Sequence, residues 1–372
     1  MRTPTVDRRR GLPTRPLPPP ARRGAAAPAL LFWILAIALF VVPFLSQAYQ
    51  PTWGEGDPRS QTAWADPNTP FNELDLPFWE RVAAIEETVP GLAAHVREQG
   101  EAFYGFESEH LRNSGVVEVR RLAAGRKTYD SLCAGCHGGE FAGGVAGDGA
   151  GPSAHYMKPR PRNFRKGMFK FASTESGQRP MRKDLYRVVS YGLAGASMPH
   201  FKLLTEERRW DVVEYVRYIS LRGEFEEQLV TFSADDEELA DPEEVAEIAD
   251  SRWHPDNLRS VFPSTPEPEA TAESIERGKG LYLGGKANCA GCHGATGIGD
   301  GPSAEAFQDG WGYPIKPRDF TNGVYRAGSE NRDLWVTIAT GINGSPMGAY
   351  REVLSSDEIW DIVHFVRSLE KK

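Results

Sequence analysis

Apolar residues recur three positions apart near the end of each half of the chain. The first set is Trp210, Val213, Val216 and Ile219, and the second is Trp360, Val363, Val366 and Leu369. This period predicts two amphipathic helices, each with one buried face. Ser355 and Glu358 form a capping-box pattern that marks the beginning of the second helix.

A shorter helical pattern lies about twenty residues before each of these helices. Asp184 and Asp333 are predicted to be its N-caps, and Gly192 and Gly341 are predicted to end it. Neither half of the chain contains a convincing alternation of apolar and polar residues. The pattern therefore predicts an all-α fold.

One further apolar stretch has a different character. Ala29 to Leu45 carries no charge, and the segment before it, 1–28, holds seven arginines and one acid. A helix that crosses a bilayer needs about 17 to 25 residues, and arginine-rich flanks stay in the cytoplasm. We expect a single transmembrane helix at 29–47, with all later residues outside the cytoplasmic membrane. A cleaved signal peptide ending near Ala48 is the alternative, and it also exports the chain.

The chain also repeats itself, which sets the domain count. The string CAGCHG occurs at Cys133 to Gly138 and at Cys289 to Gly294. Further matches in the same order are Gly125-x-x-x-Tyr129 with Gly278-x-x-x-Tyr282, Gly151-Pro152 with Gly301-Pro302, Lys158-Pro159 with Lys316-Pro317, and Ser197-Met198-Pro199 with Ser345-Pro346-Met347. The repeat predicts two tandem domains, at 116–222 and 269–372.

The remaining segments are assigned by composition. Residues 223–268 are acidic and end in a proline-rich run, which is typical of a solvated linker. Residues 48–115 contain helical stretches and are expected to form an exported stalk or a wrapping arm. Without the basic segment 1–28, the chain carries a net charge of −14. This charge argues against a nucleic-acid partner and favours a protein partner with a basic docking face.

The repeated cysteine string carries the chemistry. On a helix Cys133, Cys136 and His137 project from one face, as do Cys289, Cys292 and His293. Two thiols in that arrangement can bond to the two vinyl groups of one haem, and the adjacent imidazole can bind its iron. Cys-x-x-Cys-His is the attachment string of c-type haem. The sequence therefore predicts two covalently bound haems, with His137 and His293 as iron ligands.

Two other uses of these cysteines were weighed. A zinc site needs about four ligands, and each half offers one cysteine pair and one histidine. A thioredoxin-like redox pair needs no following histidine and belongs in a βαβ unit that neither half shows. All 4 cysteines belong to the two strings, so none remains for a structural disulfide.

Methionines in matching loops are candidates for the sixth iron ligand. Met347 is the only methionine after Met198, and both lie in loops rich in glycine and proline, just before a matching helix. We predict Met198 and Met347 as the ligands, although an isolated methionine is more often core filler. His155 and His200 are the alternatives in the first half. His364 is expected to lie on the surface of the final helix.

Residues that support the haem are also suggested by the repeat. A backbone carbonyl in the turns at Pro152 and Pro302 could accept the Nδ1 proton of the haem histidine. Arg160, Arg162 and Arg318 could pair with haem propionates, since a guanidinium matches a carboxylate in shape. An ordinary turn and solvated arginines are the alternatives.

With these residues in place, the chain resembles the class I c-type cytochromes in a membrane-anchored, two-haem form. The resemblance covers 116–222 and 269–372 and implies haem iron held by histidine and methionine, and one-electron transfer. The tethered layout is similar to cytochrome subunits that work beside quinol-oxidising complexes, molybdenum oxidoreductases or terminal oxidases. Such domains lie on the periplasmic side of the membrane.

Three functions are compatible with this sequence. The leading hypothesis is a carrier that passes single electrons between respiratory-chain partners and transforms no substrate. A diheme peroxidase would need one iron that is open or weakly ligated. The third possibility is an electron-transfer subunit fixed within a larger complex.

Overall fold

The computed structural model describes residues 78–140, 145–157 and 159–371, and these residues are mainly helical. Within these ranges there is no strand, only isolated bridges that join Thr174 to Ser260 and Gln308 to Pro314. The predicted all-α fold is therefore confirmed for this part of the chain. The predicted basic segment 1–28 and transmembrane helix 29–47 lie outside it, and no helix within it has the length and apolarity needed to cross a membrane.

The helices are numbered in chain order. Their bounds are α1 Phe78–Ile85, α2 Leu92–Tyr104, α3 Glu109–Asn113, α4 Val119–Leu132, α5 Ala134–His137, α6 Arg182–Tyr191, α7 Glu206–Asp236, α8 Pro242–Trp253, α9 Ala272–Leu283, α10 Ala290–His293, α11 Asn331–Thr340 and α12 Ser356–Ser368.

In both repeats a helix before the cysteine string crosses the last helix, α4 against α7 and α9 against α12. Gly125 and Gly278 lie at the crossings. A Cβ atom there would overlap the backbone carbonyl of Asp211 in the first repeat and of Asp361 in the second. Only glycine lets the two backbones approach so closely, which explains the first residue of the Gly-x-x-x-Tyr motif.

The last helix of the first repeat continues far beyond the predicted domain end. Helix α7 is 31 residues long and is followed by α8, so most of the acidic segment 223–268 is helical rather than a solvated linker. Phe225, Leu229 and Trp253 are buried in it. The acidic composition of this segment predicted a solvated linker, but buried arginines pair with its glutamates. Arg165 pairs with Glu226 at 2.7 Å, and Arg179 pairs with Glu224.

Helices α1 to α3, which fall in the predicted stalk or arm, pack on the first repeat. Val96, Tyr104 and Leu111 are buried in the same hydrophobic core as α7 and α8. The Tyr104 hydroxyl donates to Asp250 in α8 at 2.9 Å. These helices thus pack on the long helix of the first domain and share its core.

The middle helices begin earlier than predicted. The N-caps of α6 and α11 are Met181 and Glu330, not Asp184 and Asp333. Each aspartate is the third helical residue, and its carboxylate accepts from the backbone N–H of the N-cap at 3.0 and 3.2 Å. The predicted ends, Gly192 and Gly341, are confirmed, with φ of 69° and 72°. The capping box at Ser355 and Glu358 is present as well.

Candidate functional site

The two cysteine strings form equivalent single turns of helix. The backbone N–H of His137 donates to the carbonyl of Cys133 at 2.8 Å, and that of His293 donates to Cys289 at 2.8 Å. Each turn ends on a glycine with positive φ, 86° at Gly138 and 75° at Gly294. The turn thus places both cysteines and the histidine on one face, as the spacing predicts.

The tyrosine of the Gly-x-x-x-Tyr motif holds the end of each turn. The Tyr129 hydroxyl donates to the carbonyl of Gly138 at 2.9 Å, and Tyr282 donates to Gly294 at 2.8 Å. Both tyrosines are fully buried between the crossing helices. The motif therefore fixes the cysteine string to the helix crossing, a role that spacing alone did not reveal.

All four cysteines are free and partly buried. Burial raises the pKa of Cys133 to about 12, with a smaller contribution from Cys136, and raises the pKa of Cys289 to about 11. Cys133 and Cys289 are therefore protonated at neutral pH, and their burial suits the apolar vinyl edge of a porphyrin. Among the described residues, no group of three or more His, Cys, Asp or Glu could hold a metal ion by itself.

Both haem histidines are kept neutral. Burial lowers the pKa of His137 to about 4 and also lowers the pKa of His293. His293 Nδ1 lies 3.3 Å from the backbone oxygen of Arg318. A carbonyl can only accept, so Nδ1 carries the proton and Nε2 keeps its lone pair for a metal.

The acceptor is thus not in the Gly-Pro turn, where the sequence suggested it. The acceptor is the carbonyl of Arg318, which follows Pro317 in the Lys-Pro-Arg segment. In the first repeat burial lowers the pKa of His137, and the matching carbonyl of Arg162 partly offsets that effect. That contact falls outside hydrogen-bond geometry, since His137 Nδ1 has no partner among the described residues. Phe164 and Phe320 stack on the two imidazoles, with ring centres 4.5 Å apart in each pair.

The two methionine loops have the same backbone hydrogen bonds. Leu193 N–H donates to Met198 O at 3.1 Å, and Ile342 N–H donates to Met347 O at 3.0 Å. Phe201 donates to Val189 at 3.0 Å, and Tyr350 donates to Ile338 at 3.1 Å. Every pair is separated by 149 residues. Met198 and Met347 therefore occupy equivalent positions, and Pro346, not Ser345, is the counterpart of Ser197.

The three other histidines named as candidates or surface residues differ in their positions. His200 is exposed beside the first methionine loop, and His155 lies in a short 3-10 turn at Ala154–Tyr156. The prediction for His364 is wrong, because this residue is only 2% exposed. Its Nδ1 is 2.8 Å from Ser274 Oγ, between α9 and α12. It is buried there because the whole inner face of α12 packs on α9.

The arginines proposed for the propionates are not simply solvated. Arg162 donates to Asp309 Oδ2 at 2.6 Å, Arg160 to the Tyr313 hydroxyl at 3.3 Å, and Arg318 to the Val324 carbonyl at 2.6 Å. Three further residues beside them were missed by the sequence reasoning: Lys170, Trp311 and Arg326. Trp311 and Asp309 lie in an insertion of the second repeat, which the drift in repeat spacing could have indicated.

Comparison with known proteins agrees with this geometry. The sequence model of the family described as "Cytochrome c" matches residues 275–370, and that described as "Cytochrome C oxidase, cbb3-type, subunit III" matches residues 120–216. Each half therefore contains a cytochrome c domain, and such domains bind haem c and transfer electrons.

A solved structure is also similar. It is a chain of the reducing HAO-like protein complex of Kuenenia stuttgartiensis, with 34% identity and a TM-score of 0.53. The match covers 67% of this chain and 96% of that chain. No curated protein sequence matches this chain.

Proposed function

The chain belongs to the class I c-type cytochromes, and from that premise we propose that it is a membrane-tethered, two-haem electron carrier. The domains would lie on the periplasmic side of the cytoplasmic membrane, tethered by the uncharged segment 29–47. The acidic charge of the exported part favours redox partners with a basic docking face, such as a quinol-oxidising complex, a molybdenum oxidoreductase or a terminal oxidase.

The observation that carries this proposal is the equivalence of the two sites. In each domain two free thiols and a neutral imidazole share one helical turn, and a methionine lies in a loop with the same hydrogen bonds. Cys133, Cys136, Cys289 and Cys292 would hold two haems covalently. His137 with Met198, and His293 with Met347, would be the iron ligands. Bound haem supplies a one-electron iron couple, whose potential is raised by histidine–methionine ligation.

The protein's own residues then have defined roles. The Arg318 carbonyl orients His293 through Nδ1, so that Nε2 is available to the iron. Phe164 and Phe320 cover one face of each imidazole. Burial of the thiols and imidazoles excludes water, which lowers the solvent reorganisation that accompanies each change of charge.

A second candidate function is a fixed electron-transfer subunit. It is favoured by the 34% identity to a chain of a two-component complex. In that case the same haems would relay electrons inside an assembly rather than to a diffusing partner.

The proposal is tested on protein matured in a host competent for cytochrome assembly. We expect two covalent haems per chain, a methionine–iron absorption band from both, and no rapid turnover with peroxide. Colourless protein, or protein carrying zinc, would refute it, whereas peroxide turnover with one band missing would indicate a peroxidase. Gentle solubilisation of native membranes separates the two candidates, since a fixed subunit co-purifies with its complex.

A further inference from the structure

The second domain carries an insertion that packs against the first. The two repeats are 150 residues apart at Gly151 and Gly301 but 156 apart at Phe164 and Phe320, which stack on equivalent histidines, so the second has six extra residues between these points. Within this stretch Asp309 is 6% exposed and Trp311 is 4% exposed. Both face residues 162–170 of the first domain. We call this contact region the seam.

Several positively charged side chains lie at the seam. Asp309 Oδ2 accepts from Arg162 at 2.6 Å and from Lys170 at 3.0 Å. Arg326 and Arg318 lie close enough to interact electrostatically with this cluster. Burial lowers the pKa of Lys170 to about 8, helped by Arg162, and burial with Arg318 and Arg162 lowers the pKa of Arg326.

The negative charges at the seam are fewer. Asp309 accepts from two cations. Burial lowers the pKa of Arg318, the charge of Asp319 partly offsets that effect, and the Asp319 carboxylate also accepts from Thr321. Four cationic side chains thus face two carboxylates in a largely buried region. Such an excess is costly unless a further anion is present, because unpaired charge is poorly tolerated away from water.

Two hydrogen-bond donors at the seam also lack an acceptor. Within the described residues, Trp311 Nε1 and Arg326 Nε are shielded from solvent and have no partner. The Arg162 guanidinium lies 4.4 Å from the centre of the Trp311 ring. A buried donor without an acceptor costs about 1–3 kcal/mol. An anion with several acceptor oxygens would satisfy both the donors and the surplus charge.

The seam also lies between the two candidate haem sites. Burial lowers the pKa of His137, the Arg162 carbonyl partly offsets that effect, and the Arg162 guanidinium donates to Asp309 of the other domain. Arg318 accepts from His293, while its Nη2 lies 2.9 Å from the position of a Cβ at Gly195, in the loop of Met198.

Trp311 connects the first domain with the Met347 loop of its own domain, because Arg162 and Lys170 of the first domain lie over its ring. Its ring lies 2.8 Å from a Cβ position at Gly344, in the loop of Met347. Each domain therefore contributes residues to the other. Arg162 of the first domain reaches the insertion of the second, and Arg318 and Trp311 of the second domain reach the first. The buried cations are shared by both sites rather than belonging to one.

We propose that Arg162, Lys170, Arg318, Arg326 and Trp311 form one carboxylate-binding site that takes haem propionates and electrostatically couples the two haems. This inference rests on the proposed function, since propionates are present only if haem is bound. A free anion such as phosphate offers the same chemistry and is distinguished by the experiment.

The test measures the reduction equilibrium constant of each haem in the two-haem protein, by spectroelectrochemical titration. Removing a seam cation disfavours the added electron, so Lys170→Met and Arg326→Gln lower the constants of both haems by about threefold to tenfold, tenfold being 59 mV for one electron. Asp309→Asn raises both constants. Trp311→Phe, which removes the N–H donor and no charge, lowers them less.

Matched variants separate charge from folding. Lys170→Arg keeps the charge and restores the wild-type constants, and Lys279→Gln, at an exposed lysine of α9, leaves them unchanged. Opposite shifts from Lys170→Met and Asp309→Asn would not follow from a merely structural role. Unchanged constants in Lys170→Met and Arg326→Gln, or a shift of one haem only, would overturn the coupling.

The source of the carboxylate is tested in the same titrations. If propionates occupy the site, the wild-type constants do not change between phosphate-free buffer and buffer with phosphate at matched ionic strength. A phosphate dependence that disappears in Lys170→Met would assign the site to a free anion and overturn the propionate assignment. Haem content is measured first, so protein without two haems refutes the proposed function rather than this inference alone.

Discussion

The two domains contain the same site on scaffolds of different size. The last helix of the first domain, α7, has 31 residues, whereas the last helix of the second, α12, has 13. The extra length packs against α2 and α8 and forms a core of protein side chains around Phe225, Leu229 and Trp253. The second domain has no such addition within the described residues.

The geometry of the site therefore does not depend on the size of the domain that carries it. Helix crossing, cysteine turn and methionine loop agree in both domains, residue for residue. The first domain has the larger hydrophobic core, because α1 to α3, the extension of α7 and α8 all add to it. We therefore expect the second domain to depend more on its haem for folding, and the following predictions test that contrast.

The largest effect is expected from removing each cysteine pair. Cys133→Ala with Cys136→Ala, and Cys289→Ala with Cys292→Ala, should each halve the haem content. Because the first domain has the larger protein core, its helices should stay protected from hydrogen exchange, whereas α9 to α12 should lose protection. Haem content is measured by absorption after denaturation and protection by mass spectrometry. Equal loss of protection in both domains would contradict the contrast.

Replacing the methionines should change one haem at a time. Met198→Leu and Met347→Leu should each abolish half of the methionine–iron absorption band. The reduction potential of that haem should fall by a sizeable part of the about 0.8 V that axial ligands span. The matched control is Met168→Leu at the seam, which should leave the band intact. A band that survives in Met347→Leu would exclude this residue as a ligand.

A buried ion-pair network should stabilise the extended helix of the first domain. Burial alone would raise the pKa of Glu226, but Arg165 and Arg222 hold it below its usual value. The stability from this depressed pKa is present above the unfolded value, about 4.3, and is lost as the pH falls through the lower folded value. Glu226→Gln should cost about 3–5 kcal/mol at pH 7, because two arginines lose their buried partner.

The control for this pair is in the second domain. Glu276→Gln breaks an exposed pair with Lys279 and should cost about 0–1 kcal/mol. Urea unfolding at pH 7 and pH 4 provides the measurement. Stability of the wild type should fall over this range more steeply than that of Glu226→Gln, and parallel pH profiles would show that Glu226 does not contribute.

The smallest effect is expected at the N-caps of the final helices. Ser355 Oγ accepts from Glu358 N–H at 3.2 Å, and the Glu358 carboxylate accepts from Ser355 N–H at 2.8 Å. Thr205 makes only the first kind of bond, to Arg208 at 3.3 Å. Ser355→Ala should therefore cost about 1 kcal/mol and Thr205→Ala less. Thermal unfolding checks this, and Ser355→Asp, which keeps an acceptor, should lie near the wild type.

Local patterns predicted most of the site but little of its surroundings. Cysteine spacing gave the shared helical face, and the repeat identified the methionine loops, because both depend on neighbours along the chain. The linker prediction at 223–268 failed because composition does not show that Glu224 and Glu226 meet arginines 45 and 61 residues away. Asp184 and Asp333 were misplaced by one helical turn, because an aspartate accepts a backbone N–H at either position.

The sequence by itself determined the two single turns that hold the cysteine strings and the helical class, since each rests on residues within a few positions of one another. The tertiary structure alone decided that Arg318, not the Gly-Pro turn, orients His293, that α7 extends and enlarges the core of the first domain, and that Arg162 and Lys170 contact Asp309 and Trp311. Those contacts join residues more than twenty positions apart. Their existence depends on how helices pack, and no local periodicity encodes that packing.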